Sequence, residues 1–220
     1  VGALGEEAIE AWQSQIAANP RLRFLYLDRG LVILDAWDRK LNADSRGAVL
    51  FREWLTRYPY NETHLGQALS AVPFDPAEPR TTPRGLADAD TALDKLAGAV
   101  RLLEEAGIAL DAPLGEFQIG HRMHEQFALH GGNRREGIAN LQVSTTRYRN
   151  PTETPVFTGS DDFIGDSESL SVSGYNVVHG SSFIMTLAFT DEGPDAEAIL
   201  SYSQSGNPES EHFSDQTALY

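Results

Sequence analysis

Cysteine is absent from the 220-residue chain. That excludes disulfides, thiolate nucleophiles and thiolate metal sites, and leaves the redox compartment undecided. Positive charge is scarce: 17 Lys and Arg stand against 32 Asp and Glu, a formal charge of −15. The balance argues against nucleic acid or anionic lipid as partners and says nothing about fold. No apolar run approaches the roughly 18 residues of a membrane span. A signal-peptide pattern, low-complexity tracts and fixed-period repeats are missing too. What is there is a globular composition, 41% hydrophobic and 22% charged, in a length that can bury a real core. The chain opens on VGALGEEAIEAWQ and stops on DQTALY. It reads as a piece of a longer protein.

The first half, residues 1–112, has helical texture. Leu27, Leu31, Leu34 and Leu41, with Trp37 between, recur at spacings of three and four that place them on one face. Gly30 sits inside that pattern and allows a break, since glycine costs about 1 kcal/mol relative to alanine in a helix. NADSRGAVLFREWL reads as a fresh helix with Asp44 or Ser45 as its cap and Leu50, Phe51, Trp54 and Leu55 as its buried stripe. VPFDPAEPRTTPRGL carries four prolines, which exclude helix and central strand. Leu93, Leu96, Val100 and Leu103 then define the clearest helix, stopped at Gly107.

From residue 113 onward the texture is strands and turns. Phe117, Ile119 and Met123 alternate with polar neighbours. SFIMTLAF puts Phe183, Met185, Leu187 and Phe189 on one face and Ile184 and Ala188 on the other. A strand apolar on both sides belongs between two layers. DEGPD turns the chain and AEAILSYS returns, with Ala198, Leu200 and Tyr202 in alternation. The two runs make a hairpin with a long polar exit.

Four segments carry residues of chemical interest. His121, His124 and His130 cluster in HRMHEQFALHGG, but on a strand the first two point to opposite faces, which weakens a metal site. HGGNRREG invites a phosphate-loop reading, yet it lacks the Lys-Ser/Thr ending of a P-loop and reads better as a glycine turn. Asp161, Asp162, Asp166 and Glu168 in DDFIGDSESLS offer oxygen ligands without the EF-hand order, so a solvated loop is the better account. SYSQSGNPESEHFSDQ offers Ser205 or Ser210 as nucleophile, His212 as base and Asp215 as its orienting acid. No G-x-S-x-G elbow surrounds either serine, and three such residues rarely converge on one loop.

That last stretch, with the hairpin before it, resembles the end of the β subunit in the penicillin amidase family, which includes acyl-homoserine lactone and aculeacin-type acylases. The matching positions are Gly180, Ser182, Phe183 and Met185, then Ser203, Ser205, Pro208, Ser210, His212, Phe213, Asp215 and Gln216. Glu211 departs from the pattern, where the family usually has proline. LDAWDRKLNADSRGAVLFREWL, VPFDPAEPRTTPRGL and LHGGNRREGIAN resemble the lactone-acylase and aculeacin branch, so the likeness covers nearly the whole chain.

The resemblance implies an N-terminal-nucleophile hydrolase. Its working serine is exposed at the start of the β subunit by self-cleavage, and an asparagine further along stabilises the oxyanion. Val1 opens this chain, so the expectation is a C-terminal portion without either group, inert by itself. Ser203, Ser205, Ser210, His212, Asp215 and Gln216 are then structural residues of a signature loop, with His212 and Asp215 as an internal pair. The expected fold is α+β: a helical segment over 1–112, and β-strands over 113–220 that join an αββα sandwich. The remainder of the β subunit and the α subunit are the expected partners, and a small-molecule acyl amide is the substrate. No cofactor is expected in this chain. The family's calcium belongs to the parent enzyme, at residues not placed here. Family habit implies a periplasmic or secreted protein. A self-standing, non-catalytic binding domain and a triad hydrolase using the polar loop are the alternatives.

Overall fold

The computed structural model describes residues 20–59, 69–123, 125–132, 141–143, 163–175 and 177–220. Among them the architecture is mixed α+β. Three helices come first: α1 (Pro20–Ala36), α2 (Ala48–Thr56) and α3 (Ala89–Glu105). Short antiparallel strands follow, paired as β1 (Ile119–Arg122) with β2 (Glu125–Ala128), and β4 (Leu170–Ser171) with β5 (Gly174–Tyr175). β3 (Leu141–Val143) pairs with β6 (Val177–Gly180), and β7 (Phe183–Thr190) with β8 (Gly193–Leu200).

α1 runs through Gly30 without a break. The physical reason is packing: a Cβ at Gly30 would lie 2.7 Å from Val100 Cγ2. The glycine lets α1 approach α3 closely, and that contact outweighs its propensity cost. Leu27 is buried beside it and Leu34 half-buried, but Leu31 is 46% exposed and Leu41 lies beyond the helix end. The expected stripe is therefore narrower than its spacing suggests.

α2 starts without the expected side-chain cap. Its N-cap is Gly47 in the left-handed region (φ 108°), where a Cβ would sit 2.9 Å from that of Trp37. Ser45 instead folds back, its Oγ donating to the Lys40 carbonyl at 2.8 Å and accepting from Asn42 N–H at 3.2 Å. Leu50 and Leu55 are buried as expected, and Phe51 and Trp54 join an aromatic row from Trp37 to Tyr58. α3 has a regular start: Asp88 Oδ1 accepts from Thr91 N–H at 3.0 Å. Gly107 takes the left-handed conformation (φ 73°) just past its end. Leu96, Val100 and Leu103 of α3 meet Leu27, Val49 and Leu50, and Leu114, Leu170 and Tyr175 close the core from the strand side.

Met123 is not in a strand: it has φ 54° in the tight turn between β1 and β2 and is 71% exposed. The β7–β8 hairpin forms as expected. It is a two-stranded ribbon, exposed along its length in this chain. Pairing also changes its second face, since Glu197 lies opposite Thr186 and Asp195 opposite Ala188. One side of the ribbon is wholly apolar, and the other is apolar only at its base, where Ile184 faces Ile199.

Gly174, at φ 92°, opens β5 where Tyr175 N–H donates to the Phe117 carbonyl at 2.7 Å. A Cβ there would overlap that carbonyl oxygen. Gly174→Ala should therefore cost more than ~2 kcal/mol, through strain and lost backbone approach. Urea denaturation of the two proteins measures it, and equal midpoints would contradict the account.

Candidate functional site

Two groups of polar residues stand out, one buried under α2 and one on the loop that leaves the ribbon. The buried group was not foreseen. Charged residues are rarely fully buried, yet Arg52 is 0% and Glu53 1% exposed. Arg52 donates to Gln118 Oε1 at 2.8 Å and to the Gly131 carbonyl at 3.2 Å, with its guanidinium 4.4 Å from the Tyr175 ring centre. Gln118 Nε2 donates to the same Gly131 carbonyl and to that of Leu129. Glu53 Oε1 accepts from Tyr175 Oη at 3.0 Å and from Ser169 Oγ at 3.2 Å. One turn later, Arg57 grips Asp166 with two bonds of 2.8 and 2.6 Å, and Arg101 of α3 adds a third contact at 3.5 Å.

Burial pushes the Glu53 carboxyl above its ordinary range, and its hydroxyl donors and the Arg57 charge only partly offset that. Burial also acts to raise Asp166, but the Arg57 bonds and the charges of Arg57 and Arg101 outweigh it and hold Asp166 below the usual value. Neither the solvated-loop nor the calcium reading survives for Asp166: both oxygens face guanidinium groups, which repel a cation. Glu168 is exposed, and Asp161 and Asp162 lie outside the described residues. Gly131 N–H donates to the Leu41 carbonyl at 2.7 Å, so this glycine amide is engaged internally rather than offered to an anion. The His130 ring packs 5.0 Å from the Tyr220 ring. His124, the His121 side chain and residues 133–137 of HGGNRREG lie outside the described residues. Among the described residues no three His, Asp or Glu side chains are placed to hold a metal.

The loop after β8 is built by side chains binding backbone. Ser203 is buried with φ 55°, and its Oγ accepts from Gln216 N–H at 2.9 Å and Thr217 N–H at 3.0 Å. Ser205 Oγ accepts from Asn207 N–H at 3.1 Å, and Ser210 Oγ from His212 N–H at 3.2 Å. Gln216 Oε1 accepts from Leu200 N–H at 2.7 Å, tying the loop back to the ribbon. His212 Nδ1 lies 2.9 Å from Asp215 Oδ2, and its Nε2 is 3.7 Å from Glu211 Oε1. The Asp215 hydrogen bond raises the imidazole above its ordinary value, and the same bond lowers Asp215. Both side chains are in water. A Ser-His-Asp relay needs the hydroxyl on the imidazole nitrogen that Asp215 does not hold. Ser210 instead meets the His212 backbone, and the free nitrogen faces Glu211, so no triad is assembled through Ser210.

A model of penicillin amidase matches residues 7–220. Acyl-homoserine lactone acylase PvdQ of Pseudomonas syringae pv. syringae is 30% identical over 196 residues, covering 85% of this chain and 21% of that protein. Its counterpart in Pseudomonas putida is 29% identical over 193 residues, covering 85% and 21%. Aculeacin-A acylase of Actinoplanes utahensis is 28% identical over 188 residues, covering 85% and 20%. The chain belongs to the penicillin amidase family. It spans about a fifth of the length of the curated relatives it matches. No helix among the described residues is long and apolar enough to cross a membrane.

Two predictions follow from the geometry. The folded state keeps the Glu53 proton at pH values where the unfolded chain, with an ordinary value near 4.5, has released it. Glu53 therefore lowers stability as pH rises from about 4.5 toward its raised folded value. Asp166 contributes above its ordinary 3.8 and loses that contribution as pH falls through its lowered folded value. Glu53→Gln should flatten the decline above pH 4.5 and leave the acid limb intact. A pH series of urea midpoints tests this, and parallel curves would exclude Glu53 as the titrating group. On the loop, Ser203→Ala strands two backbone amides and should cost about 1–3 kcal/mol. His212→Ala breaks only a solvated pair and should shift the midpoint less. The reverse order would contradict this account of the loop.

Proposed function

We propose that this chain is the C-terminal portion of the β subunit of an acyl amide hydrolase. The observation that carries the reading is the family match through residue 220, including the loop pattern from Ser203 to Gln216, in a chain that spans only a fifth of its relatives. In the parent, an N-terminal serine outside this chain attacks the amide carbonyl, with its own α-amine taking the proton. The amine product leaves, and water hydrolyses the acyl-enzyme ester. The relatives' names point to an acyl chain on a lactone or lipopeptide nucleus as the substrate class.

Residues 1–112 supply helical cover and residues 113–220 strands to an αββα sandwich completed by the rest of the β subunit and the α subunit. The signature-loop residues serve as structure: their hydroxyls hold backbone amides, and His212 and Asp215 hold each other. Calcium is a possible ligand of the parent enzyme, and the enzyme's site of action is the periplasm or beyond the cell. The self-standing binding domain is disfavoured by the exposed apolar ribbon, with Phe189 at 84% and Phe183 at 54% exposure.

A chromogenic fatty-acyl anilide separates the readings. The 220-residue chain should release no aniline above buffer. The intact polypeptide should turn over and lose activity when its N-terminal serine becomes alanine. Turnover by the chain alone would overturn the proposal.

A further inference from the structure

The β7–β8 ribbon has two unlike faces. The register sets Phe183 opposite Leu200, Met185 opposite Ala198, Leu187 opposite Ala196 and Phe189 opposite Pro194, so one face is wholly apolar. Its large side chains are open to solvent: Phe189 84%, Phe183 54%, Met185 51% and Leu187 44%. On the other face Ile184 and Ile199 lie near the base, and Glu197 and Asp195 follow toward the tip, where Asp191 and Glu192 form the turn. No Lys, Arg or His occurs in residues 183–200 to compensate these four carboxylates.

Two constraints follow. A two-stranded ribbon alone is marginal in water and needs a surface under its apolar side. Burying uncompensated carboxylates is expensive, so the acidic side stays wet. We infer that the ribbon is a one-sided docking arm. Its face of Phe183, Met185, Leu187 and Phe189 packs on the upstream part of the same polypeptide, while the face of Asp195 and Glu197 remains in solvent. The occupant follows from length: about four fifths of each matched relative lies outside the region aligned with this chain. The inference rests on the reading above, that the chain is part of a longer acylase. It deepens that reading by placing the ribbon at a margin of the sandwich, beyond the outer helical layer.

The absence of cysteine makes thiol labelling a direct test. Single cysteines are placed in the intact polypeptide at Ala196→Cys and Ala198→Cys on the apolar face, and at Thr186→Cys and Ala188→Cys on the acidic face. Maleimide labelling is timed folded and in urea, against the polypeptide without introduced cysteines. The acidic-face thiols should label near their unfolded rate and the apolar-face thiols about 100-fold more slowly. Equal protection of both faces would overturn the inference, as burial between two layers requires. So would equal reactivity, protection that disappears on dilution to monomer (which assigns the face to a second copy), or intact mass showing that no longer polypeptide exists. Hydrolysis is scored separately. An active enzyme with both faces labelled sinks the docking arm alone, and an inactive one with only the apolar face protected sinks the acylase reading alone.

Discussion

Arg52 and Glu53 on α2 and Arg57 at its C-terminal cap lie within six residues, and between them they hold three segments of the strand-rich half, at Gln118, at Gly131 and over residues 166–175. Arg52 holds Gln118 and Gly131, Glu53 holds Ser169 and Tyr175, and Arg57 holds Asp166. Desolvating these groups is costly unless every one finds a partner, so the bonds act as a constraint on where the segments can sit. Sliding α2 by one residue would rotate each side chain by ~100° and detach all three segments together. The apolar core of Leu50, Val100 and Leu114 supplies the driving force, but dispersion and burial are non-directional. The charged residues fix the register in which that core closes. Gly98 shows how closely this is fitted: a Cβ there would lie 3.1 Å from Arg57 Nη1, so the guanidinium reaches Asp166 across a position that carries no side chain.

The helices were readable because their signals are local. Asp88 caps α3, Gly107 follows its end, and Leu96, Val100 and Leu103 share one side. The rest depends on partners that local pattern does not reveal. Gly30 lowers helix propensity, and only Val100 of another helix explains why it belongs there. Asp44 and Ser45 are good capping types, but the packing of Trp37 against Gly47 sets the start of α2. Arg52 and Glu53 look like surface residues in FREWL, because their partners lie 66 to 122 positions away. β7 read as apolar on both sides because its cross-strand neighbours, Glu197 and Asp195, could not be assigned to a face before the register was known.

The serine-rich loop shows why residue types alone do not define a catalytic centre. A nucleophilic serine needs a general base to receive its proton and a lone pair aimed at substrate. Ser203 accepts from two backbone amides and Ser210 from one. Short hydroxyl and carboxamide side chains are favoured here for a different reason. The chain leaves β8 in an irregular path, and each amide removed from the ladder requires another acceptor. Ser203 even adopts φ 55°, a conformation unusual for a residue with a side chain. The two amides gathered by its Oγ offset that strain. The same chemistry that makes serine useful in catalysis makes it useful as a loop fastener.

A chain of contacts joins this loop to the charged helix. Arg52 and Gln118 hold the Gly131 carbonyl, and His130, one residue earlier, lies against the Tyr220 ring. Tyr220 Oη accepts from Ser181 N–H at 3.3 Å, and Ser201 Oγ donates to the Ser181 carbonyl. Ser181 and Ser201 flank the base of the ribbon, where Ser201 N–H also donates to the Ser182 carbonyl at 3.2 Å. The ribbon is therefore attached at its root to the last residue of the chain and, through His130 and Gly131, to the buried side of α2. Among the described residues its outer rungs make no comparable attachment: Phe189, near the tip, is 84% exposed. An arm anchored at one end and apolar along one face is aimed by its root and held by whatever lies under that face. The aim is set within this chain, by residues reaching back to Arg52.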